Sequence, residues 1–355
     1  MILDLNKTIP GAGLLGKVIS HFLNLWGLGG ELTKGLYVKF SPASCQEHEE
    51  QAASKDGPEQ EFYLFLNKSV CNAHCIFCSR GRDEWQEKVR QEIKGFDYDA
   101  ELRSIENKLK EFQLKQVFHL GGHEPSIYPT LLPIVSAAAN AGFRQIVMET
   151  NGIALADSVL VDELVSAGLT EVRLAVYGIT SHVHDSITGV DGSYLLLQQA
   201  VSNLRKRRVR IRLKTVVLRQ NLHEMGELLS RDRKMGCGLV MPSSPDLKEY
   251  ERLCPKLSSI PPEILDRIGD LYLPCVMPKR KKGVEPSSQD REGFAVLKNG
   301  HVIRQGDNGY MSLEQQLQQK IFLDRCSECS MRKKCTGIYT MYWELFGKKE
   351  LGETP

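Results

Sequence analysis

From Glu61 onward the chain alternates between short apolar runs and amphipathic stretches, and no other feature restricts its fold so strongly. Apolar runs suited to strands lie at 62–69, 116–121, 144–150, 171–177, 209–217 and 238–242. Helix-period stretches separate them near 98–112, 130–141, 157–167, 193–206 and 221–235. Strands followed each time by a helix return in the same direction, so the expected product is a parallel α/β sheet with helices on its outer face. The strand ends that precede the helices then share one edge, where α/β active sites collect.

Directly after the first run stands Cys71-Asn-Ala-His-Cys75-Ile-Phe-Cys78. A loop leaving a strand can turn these three thiols toward one inorganic centre. A closed structural zinc or cubane site normally takes four protein ligands, whereas three leave a coordination position open. The spacing differs from zinc ribbons, which pair two two-residue spacers, and from thioredoxin motifs, which need two cysteines. A structural zinc knot or unrelated cysteines are the competing explanations.

The pattern C-x3-C-x2-C, with aromatic Phe77 before the last cysteine, resembles the signature of the radical S-adenosylmethionine (SAM) enzymes. The resemblance implies a partial (β/α)6 barrel in which Cys71, Cys75 and Cys78 hold three irons of a [4Fe–4S] cluster. SAM chelates the fourth iron, and one electron cleaves it to a 5′-deoxyadenosyl radical that takes hydrogen from a substrate. Phe77 would then lie against the cofactor. Gly121-Gly122-His123-Glu124-Pro125 is close to the family's Gly-Gly-Glu-Pro, whose backbone and glutamate hold the SAM amino group; His123 is an insertion. Thr150-Asn151-Gly152 resembles the family's Thr-Asn-Gly at the barrel mouth, although a plain turn explains Asn-Gly equally well.

On the fifth strand, period two places Val209, Ile211 and Leu213 toward the helices and Arg210, Arg212 and Lys214 inward. Buried basic groups need partners, so one is expected to meet the SAM carboxylate and another an anionic part of the substrate. Lys214, nearest the C-terminal edge, is the candidate cofactor contact, while Arg210 at the strand start is expected to reach solvent. Arg173, Ala175 and Tyr177 share the inward parity on the fourth strand; His182, His184 and Asp185 are expected in a following surface loop.

Residues 1–60 are expected to dock a partner or close the barrel. Their Gly11-Ala-Gly-Leu-Leu-Gly16-Lys17 matches a phosphate-loop pattern by accident, since Val18 replaces the Mg²⁺-binding hydroxyl and no βαβ unit surrounds it. Val18–Trp26 is a possible amphipathic helix, and 41–60 a surface loop. Residues 61–260 make the barrel and 261–355 a second domain. The latter begins after Pro261-Pro262, with a helix near 263–272, an exposed basic loop at Lys279–Lys282, an Asn299-Gly300 hairpin and a helix at about 312–323. Cys275, Cys326, Cys329 and Cys335 suffice for a closed site. This tail resembles twitch or SPASM modules and implies one auxiliary [4Fe–4S] cluster, because Tyr339 stands where the full SPASM pattern has another cysteine; a zinc knuckle is the alternative.

A net charge of +2 argues against a general nucleic-acid binder, and the absence of an eighteen-residue apolar run or a leader points to a cytoplasmic, non-membrane enzyme. The ten cysteines are too few and too clustered for a secreted disulfide scaffold. The approximate likeness to maturases of ribosomally made peptides, including His-Xaa-Ser systems, implies a peptide substrate and an external electron donor such as flavodoxin or ferredoxin. The alternatives are an oxidoreductase acting on a small molecule or nucleoside in cofactor biosynthesis, and a non-catalytic Fe–S electron carrier.

Overall fold

The computed structural model describes residues 36–40, 60–111, 115–240, 246–268, 320–328, 337–347 and 350. The chain divides into two compact units, the first made of Met1–Cys75, Arg80–Ala175 and Thr188–Arg212, the second of Ile76–Ser79, Val176–Ile187 and Leu213–Pro355.

In the first unit, β1 (Leu36–Phe40) pairs antiparallel with β2 (Gln60–Leu66). Parallel pairing then joins β2 to β3 (Val117–Gly122), β3 to β4 (Gln145–Thr150) and β4 to β5 (Glu171–Ala175). The connecting helices are α1 (Asp83–Glu92), α2 (Tyr98–Glu111), α3 (Leu131–Asn140), α4 (Ser158–Ala167) and, before β6 (Arg210–Val217), α6 (Ser193–Lys206). This is the strand–helix alternation of a partial barrel.

Alternation decides which face is apolar. Register sets Phe62 beside Phe118 and Ile146, and Leu64 beside Leu120, Met148 and Val172. All seven are 2% exposed or less, and each such burial contributes roughly 1.5–3 kcal/mol. The helices cover this face: a Cβ added at Gly152 would meet Leu174 of β5 and Leu197 and Ala200 of α6, and one at Gly168 would meet Ala139 of α3 and Ile146 of β4. Asp157 caps α4 by accepting from Val159 N–H (2.8 Å), and Gly168 ends it at φ +114°. The opposite face carries Tyr63, His119, Glu149, Glu171, Arg173, Arg210 and Arg212, as period two requires.

The second unit holds the rest of β6, paired in parallel with β7 (Gly236–Leu239), together with α5 (Ser181–Thr188), α7 (Met225–Arg231), α8 (Leu247–Leu253) and the short α9 (Pro262–Leu265). Helix α5 replaces the loop expected around His182, His184 and Asp185. Its start is fixed by a distant acid: the Glu224 carboxylate accepts from Ile179 N–H (2.6 Å), Thr180 N–H (3.4 Å) and the Thr180 hydroxyl (2.6 Å). These bonds hold the Glu224 carboxyl below its ordinary range despite the opposing effect of burial. The helix expected at about 312–323 is corrected at its end, where β8 (Lys320–Ile321) pairs antiparallel with β9 (Ile338–Tyr339). Gly337 precedes β9 at φ +74° with Ile321 O only 3.1 Å from where a Cβ would stand.

The accidental phosphate-loop match at 11–17, the 18–26 helix, positions 41–59 of the loop expected at 41–60, the basic loop, the Asn299-Gly300 hairpin and Cys275, Cys329 and Cys335 lie outside the described residues, while Gln60 begins β2. Among the described residues no helix is long and apolar enough to cross a membrane.

Candidate active site

The cysteine loop leaves the C-terminal end of β2, and backbone contacts fix its course. In the first unit His74 N–H donates to Thr188 O (2.8 Å), and the His74 ring donates through Nδ1 to Gly81 O (3.0 Å), bending the loop back on itself. Gly81 is required there, because a Cβ would stand 2.8 Å from Cys75 N. In the second unit Ile76 N–H donates to Ile187 O (2.9 Å), and the Phe77 ring meets Tyr177 edge-on at 5.2 Å. Tyr177 is itself pinned: its N–H donates to His184 Nδ1 (3.2 Å) and its carbonyl accepts from Asn221 Nδ2 (2.9 Å). Burial pulls His184 down to about 4, so the ring is neutral at pH 7 and Nδ1 can accept. His184 is buried, not a surface hydrogen-bonding residue, whereas His182 is exposed.

Cys71, Cys75 and Cys78 are each partly exposed. As thiols on one loop they have the donor chemistry of a cluster site. Among the described residues no group of three or more His, Cys, Asp or Glu side chains is arranged to hold a metal ion. Cys326, in the second unit, is also partly exposed.

At the end of β3 the inserted His123 lies against Ser69 and Trp85. Its Nδ1 donates to Ser69 O (2.7 Å) and its ring stands edge-on to Trp85 at 4.4 Å, so the insertion is absorbed by packing. Glu124 is 2% exposed. Its Oε1 accepts from Ser126 N–H (3.0 Å), the Ser126 hydroxyl (2.6 Å) and the Thr150 hydroxyl, and its Oε2 accepts from Asn151 N–H (2.8 Å). Burial pushes this carboxyl up, and the four hydrogen bonds pull the other way. Glu124 thus joins the loop after β3 to the end of β4, and Ser126 is a partner the motif did not reveal. Because both oxygens face a backbone N–H, Glu124→Gln must oppose donor to donor in either orientation. The expected cost is about 1–3 kcal/mol, checked by the urea midpoint; unchanged stability would mean the carboxylate is not so engaged.

Asn151 follows on β4. Its Nδ2 donates to Asn72 Oδ1 (2.7 Å) and reaches Cys71 Sγ at 3.8 Å, while its Oδ1 accepts from Ile153 N–H (2.9 Å).

Across the polar face, the buried Glu171 is shared by three guanidinium groups, Arg173 (3.4 Å), Arg210 (3.4 Å) and Arg212 (3.3 Å), and Arg173 also reaches Glu149 (3.5 Å). The expected inward arginines therefore find their partners within the chain. Arg210 is the most exposed of them at 57%, as its place at the strand start requires. Three guanidinium groups and two carboxylates thus meet on this face. Lys214 lies farther along β6, in the second unit, and is half-buried.

Residues 69–231 match the model of the radical SAM superfamily. A probable GTP 3′,8-cyclase of Saccharolobus islandicus is 26% identical over 203 residues, 53% of this chain and 63% of that protein. A second, from Metallosphaera sedula, is 26% identical over 172 residues, 47% of this chain and 50% of that protein. The chain thus spans less than two thirds of the curated relatives it matches. Among solved structures, native anSMEcpe with bound AdoMet overlaps 79% of this chain and 89% of its own at 15% identity and a TM-score of 0.48. The superfamily implies SAM and a [4Fe–4S] cluster. On the family match and the curated relatives together, residues 69–231 of this chain are similar to radical SAM domains.

Proposed function

We propose that the enzyme binds a [4Fe–4S] cluster through Cys71, Cys75 and Cys78, cleaves SAM reductively and takes hydrogen from an anionic small molecule of the nucleotide class. The observation that carries the reading is the three-cysteine loop at the C-terminal end of β2, the catalytic edge of a parallel α/β sheet. When bound, the cluster and SAM supply the hydrogen-abstracting chemistry. The chain's own residues position it: His74 and Gly81 set the loop, Tyr177 backs Phe77, and Glu124 fixes the end of β4. Gly121, Gly122, Thr150 and Lys214 are the further positions proposed toward SAM. In the second domain, Cys275, Cys326, Cys329 and Cys335 are proposed to hold the auxiliary cluster.

The nucleotide class is supported by the gathering of three guanidinium groups around Glu171 and by the names of the curated relatives. A peptide substrate is the second reading, favoured by β1, which stands at the end of the strand order where an extended peptide can add a strand. The two are separated by incubating reconstituted protein with SAM, a reductant and either GTP or short peptides, and following 5′-deoxyadenosine and the mass of each candidate substrate. Substrate-stimulated turnover with GTP is the expected result, and Arg212→Ala should then lower kcat/KM about tenfold or more, the worth of one charged hydrogen bond. Turnover with a peptide alone, unaffected by Arg212→Ala, would overturn the nucleotide reading.

A further inference from the structure

We infer that Asn151 is a positioning residue that raises the reduction potential of the SAM-cleaving cluster by donating an N–H···S hydrogen bond to Cys71. The inference rests on the proposed reading of Cys71 as a cluster ligand.

The amide orientation is fixed by its neighbours. Oδ1 accepts from Ile153 N–H (2.9 Å), which only an oxygen can do, so the nitrogen must face the cysteine loop. One of its two hydrogens goes to Asn72 Oδ1 (2.7 Å) and the other faces Cys71 Sγ (3.8 Å). The backbone is held as firmly, since Asn151 N–H is bound to the buried Glu124 carboxylate (2.8 Å). A donor held at both ends cannot turn away from the sulfur as the charge on it changes. Hydrogen bonds to ligating sulfurs are one of the levers that set cluster potentials, because they stabilise the more negative, reduced state. The same residue thus links the buried Glu124 network to the first cysteine of the loop.

The test is a redox titration of anaerobically reconstituted full-length protein, followed by the low-temperature EPR signal that changes on adding SAM. Asn151→Leu keeps the side-chain shape without donor or charge; Asn151→Asp keeps the Ile153 turn and removes the donor. At a fixed dithionite poise, the reduced-to-oxidised ratio in Asn151→Leu should fall about tenfold, which is 59 mV for a one-electron couple. Asn151→Asp, with its added negative charge, should fall further. An unchanged ratio in both, with the cluster still loaded, overturns the inference, and so does loss of the cluster in Asn151→Asp, which would assign the residue a holding role. Failure of the underlying reading shows differently: the SAM-sensitive signal would be absent from wild type or would survive Cys71→Ala.

Discussion

Changing Cys71, Cys75 and Cys78 together to Ala is expected to remove about four irons per chain and all 5′-deoxyadenosine formation. Among the described residues no group of three or more His, Cys, Asp or Glu side chains is arranged to hold a metal, so none stands ready to take their place. The substitutions should spare the fold, since all three side chains are only partly buried and the loop is held by His74, Gly81 and Ile76 through backbone contacts. Iron analysis and circular dichroism on the same sample check both halves. Cys326→Ala is the informative contrast: it should lower iron and substrate turnover while SAM cleavage survives. Equal loss of SAM cleavage in both variants would show that the loop is not a separate site.

Gly122→Ala should destabilise the first unit by about 3 kcal/mol or more, the sum of backbone strain and a clash that cannot be relaxed by a side chain. Gly122 sits at φ +123°, and a Cβ there would stand 2.5 Å from Leu66 O and 2.6 Å from Leu66 N. Leu66 is its register partner on β2, so relief requires moving the strand that carries the cysteine loop. Gly121→Ala is the control, since its Cβ would meet the Phe65 ring at 3.5 Å, an ordinary contact. With total stabilities of about 5–15 kcal/mol for a typical domain, the difference is readily seen in denaturant midpoints. A loss under about 1 kcal/mol at Gly122 would contradict the described approach of β3 to β2.

Much of this was legible in the chain because it depends on local period. The runs around Phe62, Phe118, Ile146 and Val172 became parallel strands within three residues of their expected limits, since each presents alternate apolar side chains to covering helices. Helix α6 was expected at 193–206 and spans Ser193–Lys206. Helix α1 carries its signal in Trp85, Val89 and Ile93 at four-residue spacing, within the cluster of Val89, Ile93 and Phe96, and lies outside the expected helical stretches. Helix α5 could not be foreseen, because its cap comes from Glu224, more than forty positions away.

The site divides in the same way. The motif spacing pointed to Cys71, Glu124 and Asn151, but their couplings through Ser126, Thr150 and Asn72 depend on tertiary contacts. The inward parity of Arg210 and Arg212 was readable from period two, whereas Glu171 as their shared partner was not, since pairing across strands depends on register. His123 looked like a disturbance of a cofactor loop; packing against Trp85 and Ser69 absorbs it.

The central claim is that the three-cysteine loop supports reductive cleavage of SAM. Its most direct test is anaerobic reconstitution with iron and sulfide, addition of SAM and dithionite, and measurement of 5′-deoxyadenosine by liquid chromatography and mass spectrometry. Wild-type protein should form 5′-deoxyadenosine and the Cys71/Cys75/Cys78→Ala variant none; its absence from fully loaded wild type, or its formation by the variant, would contradict the assignment.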